Sequence, residues 1–215
     1  MSRSNLVGLL GLNVQVHIGL LREDKISEAF FQDFVDTIRA PGLIFEDRVR
    51  PSGVPFAAIE WLMPTALLAY VARPYFESFL TEMGKDHYEL LKKGLNKLYA
   101  RVAGPDAPDV RIISKKGKTA KEQPYSLFFS VVAEVPNGVR LKLLIPKPIE
   151  AAEYEIAISK FLDVVQSTYN GTSEQEVAEA LKDAPITGRT VLLTYEVASG
   201  KLAPVDPLAG CRPRK

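Results

Sequence analysis

Few residues of this 215-residue chain are of types that could carry chemistry, and they are scattered. There are two histidines, His17 and His87, and one cysteine, Cys211. His87 follows Asp86, and an acid beside an imidazole is the pairing that orients a general base. Adjacent residues of one helix do not face each other, which weakens an Asp86–His87 dyad. Asp86 also explains itself as a helix cap, with Glu89 three residues later completing a capping box. Glu60, Glu77 and Glu82 share one predicted helical region, but spacings of 17 and 5 residues give no reason for them to converge. Asp86, His87 and Glu60 are thus the weak catalytic candidates, and an enzyme of unknown class remains one reading. Two histidines and one cysteine supply no metal-ligand spacing, and no cofactor is implied. The chain contains no Gly-rich phosphate loop, G-x-S-x-G elbow or H-E-x-x-H.

Charge is the second kind of chemistry. The net charge is only +1, yet its distribution is uneven. Lys85 to Glu122 holds ten basic and five acidic residues, a net of +5; Ile149 to Asp183 holds eight acidic and two basic, a net of −6. Lys93, Lys97 and Arg101 fall four apart on one helical face. Lys115, Lys116, Lys118 and Lys121 crowd a single loop around Gly117. Such faces could meet the phosphates of nucleic acid or anionic lipid. They could also pair with the acidic helices of a second copy, or simply keep the protein soluble. Tyr99 is the only aromatic between Lys92 and Arg101, too few for a base-stacking platform.

The third feature is Val54 to Ala72, nineteen residues with one charge, Glu60, and one central proline, Pro64. Its length approaches that of a bilayer-spanning helix. A carboxylate at membrane depth costs about 2.5–3.5 kcal/mol, so no permanent transmembrane span is expected. A helix that is apolar all round is buried in a core or in a membrane. The core reading predicts a central helix kinked at Pro64, with Glu60 needing a partner. The alternative is a conditionally membrane-active effector that releases this segment when triggered, with Trp61, Tyr70, Arg73 and Tyr75 as interfacial anchors.

The elements that would position these residues follow from periodicity and punctuation. Val14, Val16 and Ile18 alternate with polar residues, which predicts a strand. Asp24 caps a helix from Lys25 to Ile38, on which Ile26, Phe30, Phe34 and Ile38 form an apolar stripe. Leu43 to Val49 reads as a strand. Val54 to Val102 reads as mainly helical, broken near Pro64, Pro74 and Gly84. Val110 to Ser114, Ser126 to Val135 and Val139 to Ile145 are strands, the last two joined at Asn137-Gly138, the strongest short hairpin signal. Arg140 and Lys142 alternate with apolar residues, so that strand is read as wet on one face. Pro148 opens a helix to about Thr168, Ser173 caps a shorter one, and Val191–Val197 with Lys201–Leu208 form a last hairpin at Ser199-Gly200.

This order predicts a single α+β domain over residues 1–210, with a mixed, mainly antiparallel sheet, a kinked apolar helix, flanking helices and a helical insertion over about 54–103. Residues 211–215 form a basic tail. One cysteine cannot make an internal disulfide, which fits the cytoplasm. The favoured function is a non-catalytic interaction or regulatory module acting through protein–protein contacts, with a protein partner or a second copy of itself. Membrane activity through 54–72, nucleic-acid binding through the lysine faces and unknown enzymology are the alternatives.

Overall fold

The computed structural model describes residues 15–52, 65–109, 124–171 and 184–206. Strand β1 (Ile18–Glu23) continues the burial rhythm that Val16 begins: Val16, Ile18 and Leu20 are all buried. The strand lies further along than Val14–Ile18 because its register is set by two neighbours. Ile18 to Glu23 pair in parallel with Phe45 to Arg50 of β2 (Phe45–Arg50), and Ile18 to Arg22 pair antiparallel with β3 (Leu67–Val71). Asp24 does not cap the next helix. Its carboxylate accepts from the Ser52 amide at 3.2 Å, while Ser27 caps a short 3-10 turn, Glu28–Phe30, that leads into α1 (Gln32–Ile38).

The largest departure from sequence expectation is β3. The second half of Val54–Ala72 is not helix but a strand in the middle of the sheet, between β1 and β4. Every residue from Thr65 to Ala72 is buried. A strand buried on both faces loses its alternation and reads like a buried helix. Glu60, Trp61 and Pro64 lie outside the described residues, and so does the predicted kink.

Pro74 does begin a helix, as its fixed φ favours. A π-helical turn, Tyr75–Phe79, runs into α2 (Leu80–Met83). Gly84, at φ 78°, then breaks the run and starts α3 (Lys85–Lys97); no side chain caps α3, so the expected Asp86 capping box is not formed. α4 (Tyr99–Val102) follows. β4 (Tyr125–Glu134) and β5 (Arg140–Pro146) are antiparallel and joined through a short turn at Pro136–Gly138, the hairpin that Asn-Gly signals. α5 (Ala151–Asn170) carries the chain's capping box, Glu150 with Glu153, and ends at left-handed Gly171. The short β6 (Ile186–Thr187), β7 (Thr190–Glu196) and β8 (Lys201–Val205) complete the sheet. The strand expected at Val110–Ser114 and the helix expected after Ser173 lie outside the described residues.

The sheet order is β2-β1-β3-β4-β5-β7-β6, with β8 also on β7. It is mixed: β1–β2, β3–β4 and β5–β7 are parallel, and the other four pairings are antiparallel. Parallel neighbours need a crossover, and each of the three is bridged by helix. All three crossovers pack on one face. There Ile18, Leu20, Ala69, Val131, Leu143 and Leu193 meet Phe34, Leu91, Tyr154 and Phe161 in one core. Burying one such large side chain is worth about 1.5–3 kcal/mol. The opposite face is mixed in character. Leu68, Tyr70 and Val132 form one apolar patch and Leu144 with Leu192 another. Ser130, Arg140, Lys142, Thr190 and Thr194 are buried polar residues on the same face.

Candidate functional site

Both histidines singled out in the sequence have definite positions. His87 points inward from α3 and is 2% exposed. Its Nε2 lies 2.7 Å from the Ile38 carbonyl and its Nδ1 lies 3.1 Å from the Tyr75 hydroxyl. A carbonyl only accepts, so Nε2 carries the proton and Nδ1 accepts from Tyr75. Burial holds this imidazole below its ordinary pKa, opposed by the hydrogen bond to Ile38. Both nitrogens are therefore occupied by structure, and Asp86, exposed in the first turn of α3, is not among their partners. His17 accepts from the Ile44 amide at 3.0 Å and packs on Phe79; burial is the main cause of its lowered pKa. Among the described residues no group of three or more His, Cys, Asp or Glu is arranged to hold a metal ion.

The basic face is real but partly committed. Lys93, Lys97 and Arg101 are exposed along α3 and α4. Lys97 donates to Thr37 at 3.0 Å, and Arg101 donates to the Phe30 carbonyl at 2.7 Å and sits over the Phe30 ring. Two of the three thus fasten α1. Basic α3 and acidic α5 also meet within the chain: Lys92 pairs with Asp163 at 2.8 Å, and Tyr88 donates to the same carboxylate at 2.9 Å. Lys115, Lys116, Lys118 and Lys121 lie outside the described residues. Tyr70 sits on β3, buried, and burial followed by the nearby Glu134 carboxylate raises its pKa. Inserting Val54–Ala72 into a bilayer as one helix would therefore mean drawing β3 out from between β1 and β4. No described helix is long and apolar enough to cross a membrane.

What the sequence hid is a pair of buried arginines. Arg22, at the end of β1, is fully provided for. Its guanidinium donates to both Asp47 oxygens at 2.8–3.0 Å, to the Ile26 carbonyl and to Glu28, and it lies over the Phe31 ring. Arg140, the first residue of β5, is not. It is 2% exposed, where the alternation of β5 suggests a wet face; Lys142, on the same face, is 3% exposed. The reason is tertiary: β5 lies inside the sheet, with β4 on one side and β7 on the other.

The guanidinium of Arg140 makes one hydrogen bond, from Nη2 to the Gly188 carbonyl at 3.1 Å. Its Nε is buried without a partner, and so is Oγ1 of Thr190, which stands opposite Arg140 in the β5–β7 ladder. Glu134 is the cross-strand neighbour on the other side, and its carboxylate accepts from the Arg73 amide at 3.1 Å. Desolvation lowers the Arg140 pKa, against the pull of Tyr70 and Glu134. Burial, then Glu134, raises that of Tyr70.

Two turns, the first half-buried and the second exposed, frame this end of the sheet. One is Pro136–Gly138; the other is Gly188-Arg189, where Arg189 has φ 62° and its carbonyl accepts from the Arg140 amide at 2.9 Å. Gly138 has φ 68°, which favours glycine, and the flexible end of the Arg189 side chain lies against it. Tyr169, from the end of α5, donates to the Glu134 carbonyl at 2.7 Å and stacks on Phe76. Arg140 thus lies between Glu134 and Thr190 with unspent donors at its centre, and among the described residues here there is no nucleophile–base pair. No protein family, curated protein or solved structure matches the chain.

Proposed function

We propose that this chain is a non-catalytic regulatory module that binds a small ligand at the Arg140–Thr190 end of the sheet. It would then act on a protein partner, or on a second copy of itself, through the adjoining turns. The carrying observation is that Arg140 is almost fully buried yet uses one of its five donors. Buried polar groups are ordinarily paired, and an exception is a place to look for an absent partner. The groups suited to proton transfer, His17 and His87, are held in structural hydrogen bonds. That favours holding a ligand over transforming one. The turn at Gly188-Arg189 is tied to Arg140 through its amide and its side chain, and the Arg189 side chain lies against Gly138 of the other turn, so occupancy there would set their shape. They are the surface a partner would read.

The test is recovery of ligand. The purified protein is incubated with a small-molecule cell extract, washed, and denatured, and the released molecules are identified by mass spectrometry. The expected result is retention of a compound, recovered chemically unchanged, that Arg140→Met no longer retains. Recovery of a converted product would make the protein an enzyme. Retention that Arg140→Met leaves intact would place the site elsewhere.

A further inference from the structure

Resting on the binding role just proposed, we infer that the ligand presents a compact oxyanion, a terminal phosphate or carboxylate, to Arg140 and Thr190. The molecule contains its own template for what a buried arginine requires. Arg22 is buried to a similar degree and is met by the two oxygens of Asp47, one of which takes both Nε and Nη2. Arg140 has the same fork, the same depth and no such carboxylate: among the described residues none forms an ion pair with it. Its neighbouring acid in the ladder, Glu134, accepts from the Arg73 amide and forms no ion pair with Arg140. An arginine fork is matched by two oxygens of one oxyanion. The orphaned Nε of Arg140 supplies one donor, its Nη1 a second, and the Thr190 hydroxyl on the facing strand a third. A bound oxyanion would relieve both orphaned atoms at once and place a negative charge against a buried cation that no carboxylate of the described residues pairs with. Lys142, two residues along the same face, adds to the attraction although it has an interaction of its own.

Depth decides the size of the group. At 2% exposure Arg140 cannot meet the surface of a folded acidic partner, or a run of nucleic-acid phosphates, without opening of the framing turns. A single terminal group asks for the smallest opening, the parting of the Arg189 side chain from Gly138, which lie against each other between the two turns. Phosphate and carboxylate share the required pair of oxygens and differ in charge and in a third oxygen, so the ligand could be inorganic phosphate or the end of an organic molecule.

The experiment is calorimetric titration with parallel thermal melts of the full chain. The probes are sodium phosphate, glycerol phosphate and sodium acetate, each against sodium chloride at equal ionic strength. The expected result is saturable binding and a rise in melting temperature with at least one probe and not with chloride. Phosphate against glycerol phosphate separates a free ion from an organic phosphate, and acetate identifies a carboxylate. Thr190→Val should weaken binding about tenfold, and Arg140→Met should abolish it, since a hydrogen bond to a charged group carries at least that much affinity. If Arg140→Met does not fold, Thr190→Val decides. Absence of saturable binding to all three probes overturns the inference, as does binding that both variants retain. Arg140-dependent retention of an uncharged compound from the extract would overturn the oxyanion and leave the binding role standing.

Discussion

Two threonines on the same face of β7 allow the orphaned hydroxyl to be tested without any ligand. Thr190 and Thr194 are both buried and four residues apart. Thr194 donates to the Leu144 carbonyl at 3.2 Å, whereas Oγ1 of Thr190 has no partner. Valine keeps the β-branch, so strand preference is nearly unchanged and the comparison isolates the hydroxyl. A buried hydroxyl without a partner costs about 1–3 kcal/mol, and replacing it with a methyl group removes that cost. Thr190→Val is therefore expected to stabilise the protein by about 1 kcal/mol in chloride buffer free of phosphate and carboxylate. Thr194→Val loses a made hydrogen bond and should cost about 1 kcal/mol. The gap of about 2 kcal/mol corresponds to roughly 4–8 °C in melting temperature for a chain of this size. Urea unfolding is the assay, with the midpoint moving and the slope constant. If Thr190→Val destabilises as much as Thr194→Val, the Thr190 hydroxyl has a partner in the folded chain, and the case for a site built around it fails. A saturating oxyanion should shrink or reverse the gain, because the hydroxyl would then be in use.

Three further outcomes follow from the packing. Asp47→Ala strips the counter-charge from buried Arg22 and should cost about 3 kcal/mol, the low end for a broken buried pair because the Asp47 side chain is 20% exposed; urea unfolding that shows no loss would mean the pair is not coupled to folding. Gly94→Ala on α3 gains about 1 kcal/mol of helix propensity, but its Cβ would lie 3.0 Å from Ile38 and 3.1 Å from Phe34, both fully buried on α1. Overpacking of about 1–3 kcal/mol should outweigh the gain, so a raised urea midpoint would show that α1 and α3 can part. Burial lowers the pKa of His87 below its ordinary 6.5, so below that pH the unfolded chain binds a proton that the folded chain refuses. Stability should fall as pH drops from about 7 to 5, with a His87 contribution no steeper than about 1.4 kcal/mol per pH unit. His87→Gln should flatten the pH–stability profile by that amount, and identical profiles for the two proteins would refute the neutral, buried imidazole.

Much of the fold was legible from residue types and short spacings, because local backbone chemistry settles those elements. The Asn137-Gly138 and Ser199-Gly200 turns, the helix start at Pro74 and the break at Gly84 all stand where proline fixes φ or glycine admits a positive φ. The mixed α+β character followed from their order. Two readings went astray for one reason. The run from Thr65 to Ala72 read as helix because burial on both faces erased its alternation, and only its seat between β1 and β4 makes it a strand. Arg140 and Lys142 read as a solvated face because alternation tells which residues share a side, not whether water reaches it. That Asp86 and His87 are adjacent on one helix already counted against a dyad, and Ile38 and Tyr75 hold the imidazole from other elements. Turns and periodicities are set by interactions within a few residues and are written in the chain. Which strand lies beside which, and so which cation is buried without its partner, depends on pairings among β4, β5 and β7 that only the folded sheet brings about.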